Sequence, residues 1–567
     1  MVGLSKAHRW AAPHLAWLRR KLRGAFNTFF TGTAALSIIL MAGALVIILA
    51  PMLIKGATAV VFRGTVEWRE LQLKEEIFQR GDPEEVSAEL KQVAEARRPV
   101  YEMLDRFARG IDSYGLESDV KRLHREVRKQ LRNRAESGQL SDANAELIED
   151  ESKKLRNFLR DAYATVDPNE AIESLRNVLT YENTRLFKGT RGMEYFQLAR
   201  EYQEVVENVD LDRREEFGPE LEELQNLLYK LFGPRPGERP SAPTAEFKYG
   251  ATRWDITEEL RHRVLYTMDY VQVPGKKLLQ EKEVKRAKVF GKQLEPMFEL
   301  IENDETFLPM MNPELTFYWQ YFIDDCMPGH LFGGVGPDIY GTMMLTLLAM
   351  VFSVPIGITT AAYLVEVAKD GPFTRVIRMC INTLAGVPSI VFGLFGLAFF
   401  MLYFLPKFGL QKESSILAGS LTLGVMVLPI VIRASEEAIR SVPPSYREAS
   451  LSLGASQLRT FLTVTLPAAL PGVLTGIILS MSRAAGEVAP ILFVAAVSFR
   501  KGIPSSILNG GTRALPYSAW DVAVADRVAM DAPHNQYGII MTLIGLVLIL
   551  NITAILLRSR VAKKLRG

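Results

Sequence analysis

Charged residues are absent from Gly24 to Ile54, a run longer than the roughly 20 apolar residues that cross a bilayer core. Five later runs repeat the pattern: Ile339 to Leu364, Met379 to Pro406, Ser414 to Ile432, Gly472 to Phe499 and Gly538 to Leu557. Only Arg483 and Glu487 interrupt the fourth of these five. The pattern predicts an all-α polytopic membrane protein with six transmembrane helices, the first over residues 33–54. A cleaved signal peptide is the competing reading of that first run, but its apolar core is only about 7 to 15 residues.

Residues 55–338 are polar by contrast and carry repeated helix starts, Asp82-Pro83-Glu84-Glu85 and Asp167-Pro168-Asn169-Glu170 among them. This stretch reads as a mostly helical, water-soluble insert. The Pro- and Gly-rich segment Gly233 to Pro243 is expected to divide it into two lobes. The basic run at 121–134 has no aromatic interleaving and reads as a solvated helix face, not a nucleic-acid site. The domain order is then a basic tail at 1–32, the first span at 33–54, the insert at 55–338, and a five-span core at 339–567.

Charge orients this arrangement. Residues 1–32 hold Lys6, Arg9, Arg19, Arg20, Lys21 and Arg23 and no acid, and the C-terminal tail holds Arg558, Arg560, Lys563, Lys564 and Arg566. Six spans place both ends on one side, and the positive-inside rule makes that side the cytoplasm. The insert is then periplasmic in an inner membrane, while Lys369 to Arg378 and Arg440 to Pro467 are cytoplasmic. Lys407 and Lys412, on the outer side, run against the rule. The composition, 48% hydrophobic and 23% charged, averages two populations, and the net charge of +3 says little about nucleic acid because the basic ends and the acidic middle nearly cancel; no nucleic-acid partner is expected. Cys326 and Cys380 fall on opposite sides of the membrane, so no disulfide framework is expected, and the six histidines lack metal-ligand spacing.

The loop RSVPPSYREASLSLGASQLRTFLTVTLP, Arg440 to Pro467, reads as two short helices joined by a tight turn. Ser445 and Glu448 have capping-box spacing, Gly454 suits a left-handed helix end, and Ser456 suits the cap of a second helix that lasts to Pro467. A structural connector in which Glu448 only caps is the plain alternative. The sequence Glu448-Ala449-Ser450, then Gly454, then Val464-x-Leu466-Pro467 resembles the EAA loop of ABC-importer permeases, EAA-x3-G-x9-I-x-LP, with Ser for the second Ala and Val for Ile. That resemblance implies a cytoplasmic coupling helix, with Arg447 and Glu448 able to pair with charges of an ATP-hydrolysing subunit.

Further stretches extend the likeness: GGVGPDIYGTMMLTLLAMVFSVPIGITTAAYLVE at 333–366, INTLAGVPSIVFGLFGLAFF at 381–400, SILAGSLTLGVMVLPIVIRASEEAI at 415–439 and MSRAAGEVAPILF at 481–493. With the loop, they resemble the PstA-type permeases of phosphate-specific ABC importers, from which the long insert departs. The resemblance implies the type I permease fold and half of a translocation path for inorganic phosphate. It also implies a PstC-like sister permease, a PstB-like ATPase dimer and a PstS-like periplasmic phosphate-binding protein. The chain is expected to be no enzyme by itself and to hold no cofactor; with no G-x4-G-K-[ST] loop, ATP is expected to be used by the partner. A permease for another oxyanion, a secondary transporter, and a membrane sensor with an extracytoplasmic helical domain are the alternatives. The sensor would need an output domain that no cytoplasmic segment is long enough to supply.

Arg483 and Glu487, one helical turn apart, are candidates for the substrate path. Guanidinium offers phosphate a fork of donors that the glutamate can hold in place. An intrahelical pair that merely neutralises itself is the alternative. Arg433, near the inner end of its run, is a candidate for the exit. The insert is expected to help position the binding protein or to act as a spacer.

Overall fold

The computed structural model describes residues 4–566 apart from 112, 166, 209–213, 243, 273–278, 292–293, 370, 411, 498–499 and 526–532. The described chain forms two compact units, residues 62–316 and the remainder.

Six helices are long and apolar enough to cross a membrane, as the hydropathy predicts: Phe29–Ala57, Gly336–Val367, Ser389–Phe408, Ile416–Arg440, Gln457–Gly486 and His534–Lys564. They are called spans 1 to 6 below. The side reached by the chain between spans 1 and 2 is the insert side, and the opposite side, reached between spans 4 and 5, is the loop side. Spans 2, 4 and 5 pack around one core that includes Leu345, Ala349, Leu423, Val427 and Met481. Spans 4 and 5 approach each other through small residues. A Cβ on Gly472 would stand 2.8 Å from that of Ala438, and one on Gly476 would stand 2.2 Å from that of Ala434. Apolar side chains gain little by leaving lipid for protein, so close backbone approach and dispersion contacts hold such helices together.

Two of the expected runs end elsewhere. Met379 to Pro406 does not form one helix: Pro372–Ala385 is a separate helix, and span 3 starts at Ser389 after Gly386-Val387-Pro388. Pro388 lacks an N–H and disfavours helical angles at Val387, so the helix stops there. Gly472 to Phe499 is likewise broken. Span 5 ends at Gly486, Glu487 takes extended angles, and a four-residue helix, Ala489–Leu492, follows.

In the insert, helix follows helix from Val66 to Met311, and the predicted starts are real: Asp82 accepts from Glu84 N at 2.9 Å and Asp167 from Asn169 N at 2.9 Å. Helix Ser113–Glu136 buries Val120, Leu123, Val127 and Leu131, while its basic residues face solvent, as a solvated face requires. Gly233 to Pro243 does not separate two lobes. A single core joins residues before it, such as Leu155, Tyr202 and Leu228, to residues after it, such as Val264, Phe298 and Met311. Buried Arg97 clasps the same segments: it meets Glu67 at 2.6 Å, Phe232 O at 3.0 Å and Met310 O at 2.7 Å. Unanticipated was an antiparallel hairpin, with Tyr266–Gln272 paired to Leu279–Lys285 so that Tyr266 faces Lys285.

Candidate functional site

The loop between spans 4 and 5 forms the helix–turn–helix expected of it, with altered starts and stops. Its first helix is Pro444–Ser452, with Pro444 at the first position and Pro443 before it. The capping box of Ser445 and Glu448 is therefore absent: proline at the first position needs no donor partner and has helical φ already set, so the helix begins before Ser445. At the other end the predicted turn is present. Gly454 has φ +84°, its N–H bonds Leu451 O at 2.9 Å, and Ala455 N–H bonds Ser450 O at 3.3 Å. This is the paired bonding of a Schellman cap. Ser456 caps the second helix, accepting from Arg459 N at 3.4 Å. That helix does not end at Pro467. A π-helical turn, Phe461–Thr465, absorbs the register change ahead of the proline, and the chain runs on into span 5.

The first loop helix buries none of its residues. Tyr446, Glu448, Ala449 and Leu451 are exposed, Leu453 is 90% exposed, and Leu458 on the second helix is exposed as well. Nine residues make a marginal helix in water, so such a helix is held by its ends and by what docks on it. The ends are held well. Arg447 places Nε 3.1 Å from Glu366 Oε1 at the loop-side end of span 2 and donates from its other nitrogen to Ile439 O at 2.9 Å. Ser450 and Thr460 join the two loop helices through their hydroxyls at 2.9 Å. Beside them Arg378 lies 3.2 Å from Glu436 of span 4, which also holds Arg440 at 2.9 Å. Sequence reading names Arg447, Glu448, Ala449, Gly454 and Pro467 in this loop and does not name Glu366 or the exposed Leu453 and Tyr446. An acid at the last turn of an apolar run is the signal that would have pointed to Glu366.

Arg483 and Glu487 are not at mid-helix. Arg483 occupies the last turn of span 5, and Glu487 is the residue that ends it. They form the intrahelical ion pair at 3.4 Å, with side chains 46% and 21% exposed. Self-neutralisation thus occurs, yet it leaves the guanidinium open on the surface of a membrane helix, next to exposed Leu479 and Gly486. Arg433 of span 4 is also exposed and points its guanidinium at Asn382, with Nε 2.9 Å from Oδ1. The structure does not bring Arg433 and Arg483 into contact with each other through any bond.

A second charged group escaped the sequence reading altogether. Arg513, almost wholly buried, lies 2.7 Å from Asp325 and also binds Asp338 in the first turn of span 2. Asp338 in turn accepts from Ser518, and Asp325 accepts from Gly502 N at 2.6 Å. Next to it, buried His330 lies 3.5 Å from Asp521 and 3.5 Å from Cys326 Sγ, while its carbonyl accepts from Asn535 of span 6. The segment before span 2, the segment between spans 5 and 6, and the start of span 6 are thereby tied together on the insert side. Breaking one member of such a buried pair strands a charge, at a cost of about 3–5 kcal/mol. The fold therefore enforces this arrangement.

Residues 353–567 match the family described as binding-protein-dependent transport system inner membrane component. The phosphate transport system permease protein PstA of Mycobacterium leprae is 38% identical over 199 residues, 35% of this chain and 62% of its own length. PstA 1 of Mycobacterium tuberculosis is 34% identical over 249 residues, 44% of this chain and 77% of its own length. A probable ABC transporter permease protein of Bacillus subtilis, YqgI, is 33% identical over 244 residues, 41% of this chain and 80% of its own length. Six spans, an exposed helical loop between the fourth and fifth, and identity sustained across three quarters of a relative lead to one conclusion: this chain belongs to the PstA-type permeases of the binding-protein-dependent transport family.

Proposed function

We propose that the chain is the permease subunit of an ATP-driven importer of inorganic phosphate, one half of a translocation path completed by a sister permease. The observation that carries this reading is the loop helix Pro444–Ser452, which buries nothing of itself, presents Tyr446, Leu451 and Leu453 outward, and is tied to span 2 through Arg447 and Glu366. It is a lever arm awaiting a partner. The partner is a separate ATPase dimer, which binds and hydrolyses ATP on the cytoplasmic side, and a periplasmic phosphate-binding protein delivers substrate on the insert side. Both termini are cytoplasmic, in keeping with the basic tails. Arg483, oriented by Glu487, and Arg433 lie along the path and meet phosphate oxygens in succession.

Transport in this scheme is motion passed through packed helices. Closure of the ATPase on its nucleotide displaces the loop helix; Arg447 transmits that displacement to span 2 through Glu366, and the second loop helix transmits it to span 5, with which it is continuous. The test is co-purification of an ATPase subunit with this chain, followed by ATP-dependent uptake of labelled phosphate into proteoliposomes. Uptake that sulfate or a phosphonate suppresses as well as unlabelled phosphate does would reassign the cargo to another oxyanion. Cys380, exposed on helix Pro372–Ala385, tests orientation: an impermeant thiol reagent applied from the periplasm should leave it unlabelled. Cys326 is buried and gives no signal in that experiment.

A further inference from the structure

The segment Phe317 to Ile323, Phe-Tyr-Trp-Gln-Tyr-Phe-Ile, has no charge and turns its residues two ways. Tyr318 and Tyr321 are buried, and Tyr318 donates to Asp324 at 2.6 Å. Phe317 and Ile323 are 66% and 63% exposed, and Trp319 and Phe322 are exposed with them. A contiguous uncharged patch of this kind on a structured surface marks an interface, not chance exposure. Its height along the membrane normal follows from hydrogen bonds.

Lys55, the charge in the last turn of span 1, marks where the hydrocarbon ends, and its ammonium sits 5.1 Å from the centre of the Tyr537 ring on span 6. From there Ala59 N bonds Gly56 O and Val60 N bonds Ala57 O, both at 3.0 Å, which continues the helix as a tight turn. At helical rises of about 1.5 to 2 Å per residue, Val60 stands roughly 9 Å beyond Lys55, and any tilt shortens that height. Tyr318 N bonds Val60 O at 2.7 Å, so the aromatic segment begins at this level. It then folds over the start of span 2. Val335 N bonds Tyr321 O at 2.7 Å, Gly336 N bonds Asp324 O at 3.0 Å, and a Cβ on Gly336 would collide with the backbone of Ile323. The headgroup layer on each side of a bilayer is about 5 to 8 Å deep. Two spans therefore place the same seven residues at the margin of that layer.

We propose that Phe317, Trp319, Phe322 and Ile323 form an interfacial anchor that seats this segment among the lipid headgroups of the insert-side leaflet. Aromatic rings favour that zone because an apolar ring body and, for Trp, a polar N–H are satisfied there together. The buried tyrosines fix the backbone from beneath, so the outward rings form a rigid float and not a mobile flap. The occupant of the patch is lipid because the segment is bonded to the turn that follows span 1 and to the first residue of span 2, which sets its exposed rings beside the insert-side ends of two membrane-crossing helices.

Depth-resolved quenching tests this. Full-length chains carrying Cys380→Ser with either Trp319→Cys or Phe322→Cys are labelled with a nitrobenzoxadiazole fluorophore and purified as the complex formed in the native membrane. The Cys380→Ser chain alone is the control, its remaining Cys326 being buried. In phosphatidylcholine vesicles, lipid with a nitroxide on the headgroup should remove most of the emission at both positions, and lipid with a nitroxide at the chain end much less. Quenching by aqueous iodide without quenching by either lipid would overturn the proposal in favour of a water-exposed surface. Resistance to all quenchers would overturn it in favour of a covering protein. Stronger quenching from the chain end would place the segment in the hydrocarbon and overturn the interfacial assignment.

Discussion

The guanidinium of Arg447, in a loop helix that buries nothing of itself, lies 3.1 Å from the carboxylate of Glu366 at the end of span 2. Both side chains are about four-fifths covered, so the pair is partly shielded from solvent but not deeply desolvated. A pair of this kind contributes up to about 1 kcal/mol, or a factor of about five in an equilibrium. Glu366→Gln should therefore leave assembly intact but lower phosphate uptake per ATP hydrolysed by about two- to fivefold. Arg447→Gln should do the same, and the double variant should be no worse than either single one. Uptake and hydrolysis measured on the same proteoliposomes give the ratio; additive losses would mean that the two residues act separately.

Gly454 limits the loop by backbone angle and not by space. Its φ is +84°, and a Cβ there would meet nothing within 4 Å. Gly454→Val should cost about 1–2 kcal/mol in strain, unwinding the Schellman turn and weakening binding of the ATPase roughly tenfold, whereas Gly454→Asn should retain most of it. Titrated co-purification of the ATPase distinguishes them. Equal loss in both would assign the effect to bulk at the interface. Since no capping box exists at Ser445 and Glu448, Glu448→Ala should leave helix stability unchanged, and any defect it shows lies in the partner contact.

Arg483→Lys keeps the charge at the end of span 5 but removes the planar fork. The variant should insert normally, and its uptake should fall at least tenfold while the ATPase remains bound. Glu487→Gln frees the fork from its 3.4 Å partner and should raise the phosphate concentration for half-maximal uptake more than it lowers the maximum. Wild-type uptake in Arg483→Lys would reduce the pair to a neutralised helix end.

His330 links the insert-side network to pH. Burial alone would lower its pKa, but the carboxylate of Asp521 and the sulfur of Cys326 outweigh that and push it up to about 10, against the opposing charge of Arg513. Because the folded value exceeds the ordinary value near 6.5, protonated His330 stabilises the fold fully below about pH 6.5. That contribution declines as pH rises and is gone above about 10. The melting temperature of the solubilised protein should drop between pH 6.5 and 10 by more in the wild type than in His330→Asn, a residue that tolerates the local φ of +55°. Parallel curves would show that other groups dominate.

The chain enters and leaves residues 62–316 through two strands that pair with each other. Val61–Gly64 pairs with Glu314–Phe317, and beyond them Tyr318 N bonds Val60 O at 2.7 Å. Replacing residues 62–316 with a short glycine linker therefore closes a gap already bridged by a hydrogen bond. The shortened chain should insert, bind the ATPase and retain uptake, with a reduced response to the phosphate-binding protein if the insert positions it. Loss of assembly would make the insert a structural element of the complex.

Hydropathy, charge bias and capping signals determined much of this protein from the sequence alone. Scarcity of charge over long runs marked all six spans, because a charged side chain facing lipid is costly. Asp82, Asp167, Ser456 and Gly454 marked helix ends, because each acts on backbone groups within three residues of itself. The loop's resemblance to a docking motif was equally local. Where the helices actually stop was decided by neighbours: span 5 ends at Gly486 well inside the run from Gly472 to Phe499, and a π turn carries the loop through Pro467. The polar strands Tyr266–Gln272 and Leu279–Lys285 are defined only by pairing with each other. Arg447 meets Glu366 and Arg513 meets Asp325 and Asp338, contacts 81, 188 and 175 residues apart in the chain, and no local pattern encodes a pair that only folding brings together. Buried charges are the extreme case. A lone Arg513 in sequence is one basic residue in a polar loop, and it becomes the hub of three segments only when the spans set two carboxylates around it and exclude water.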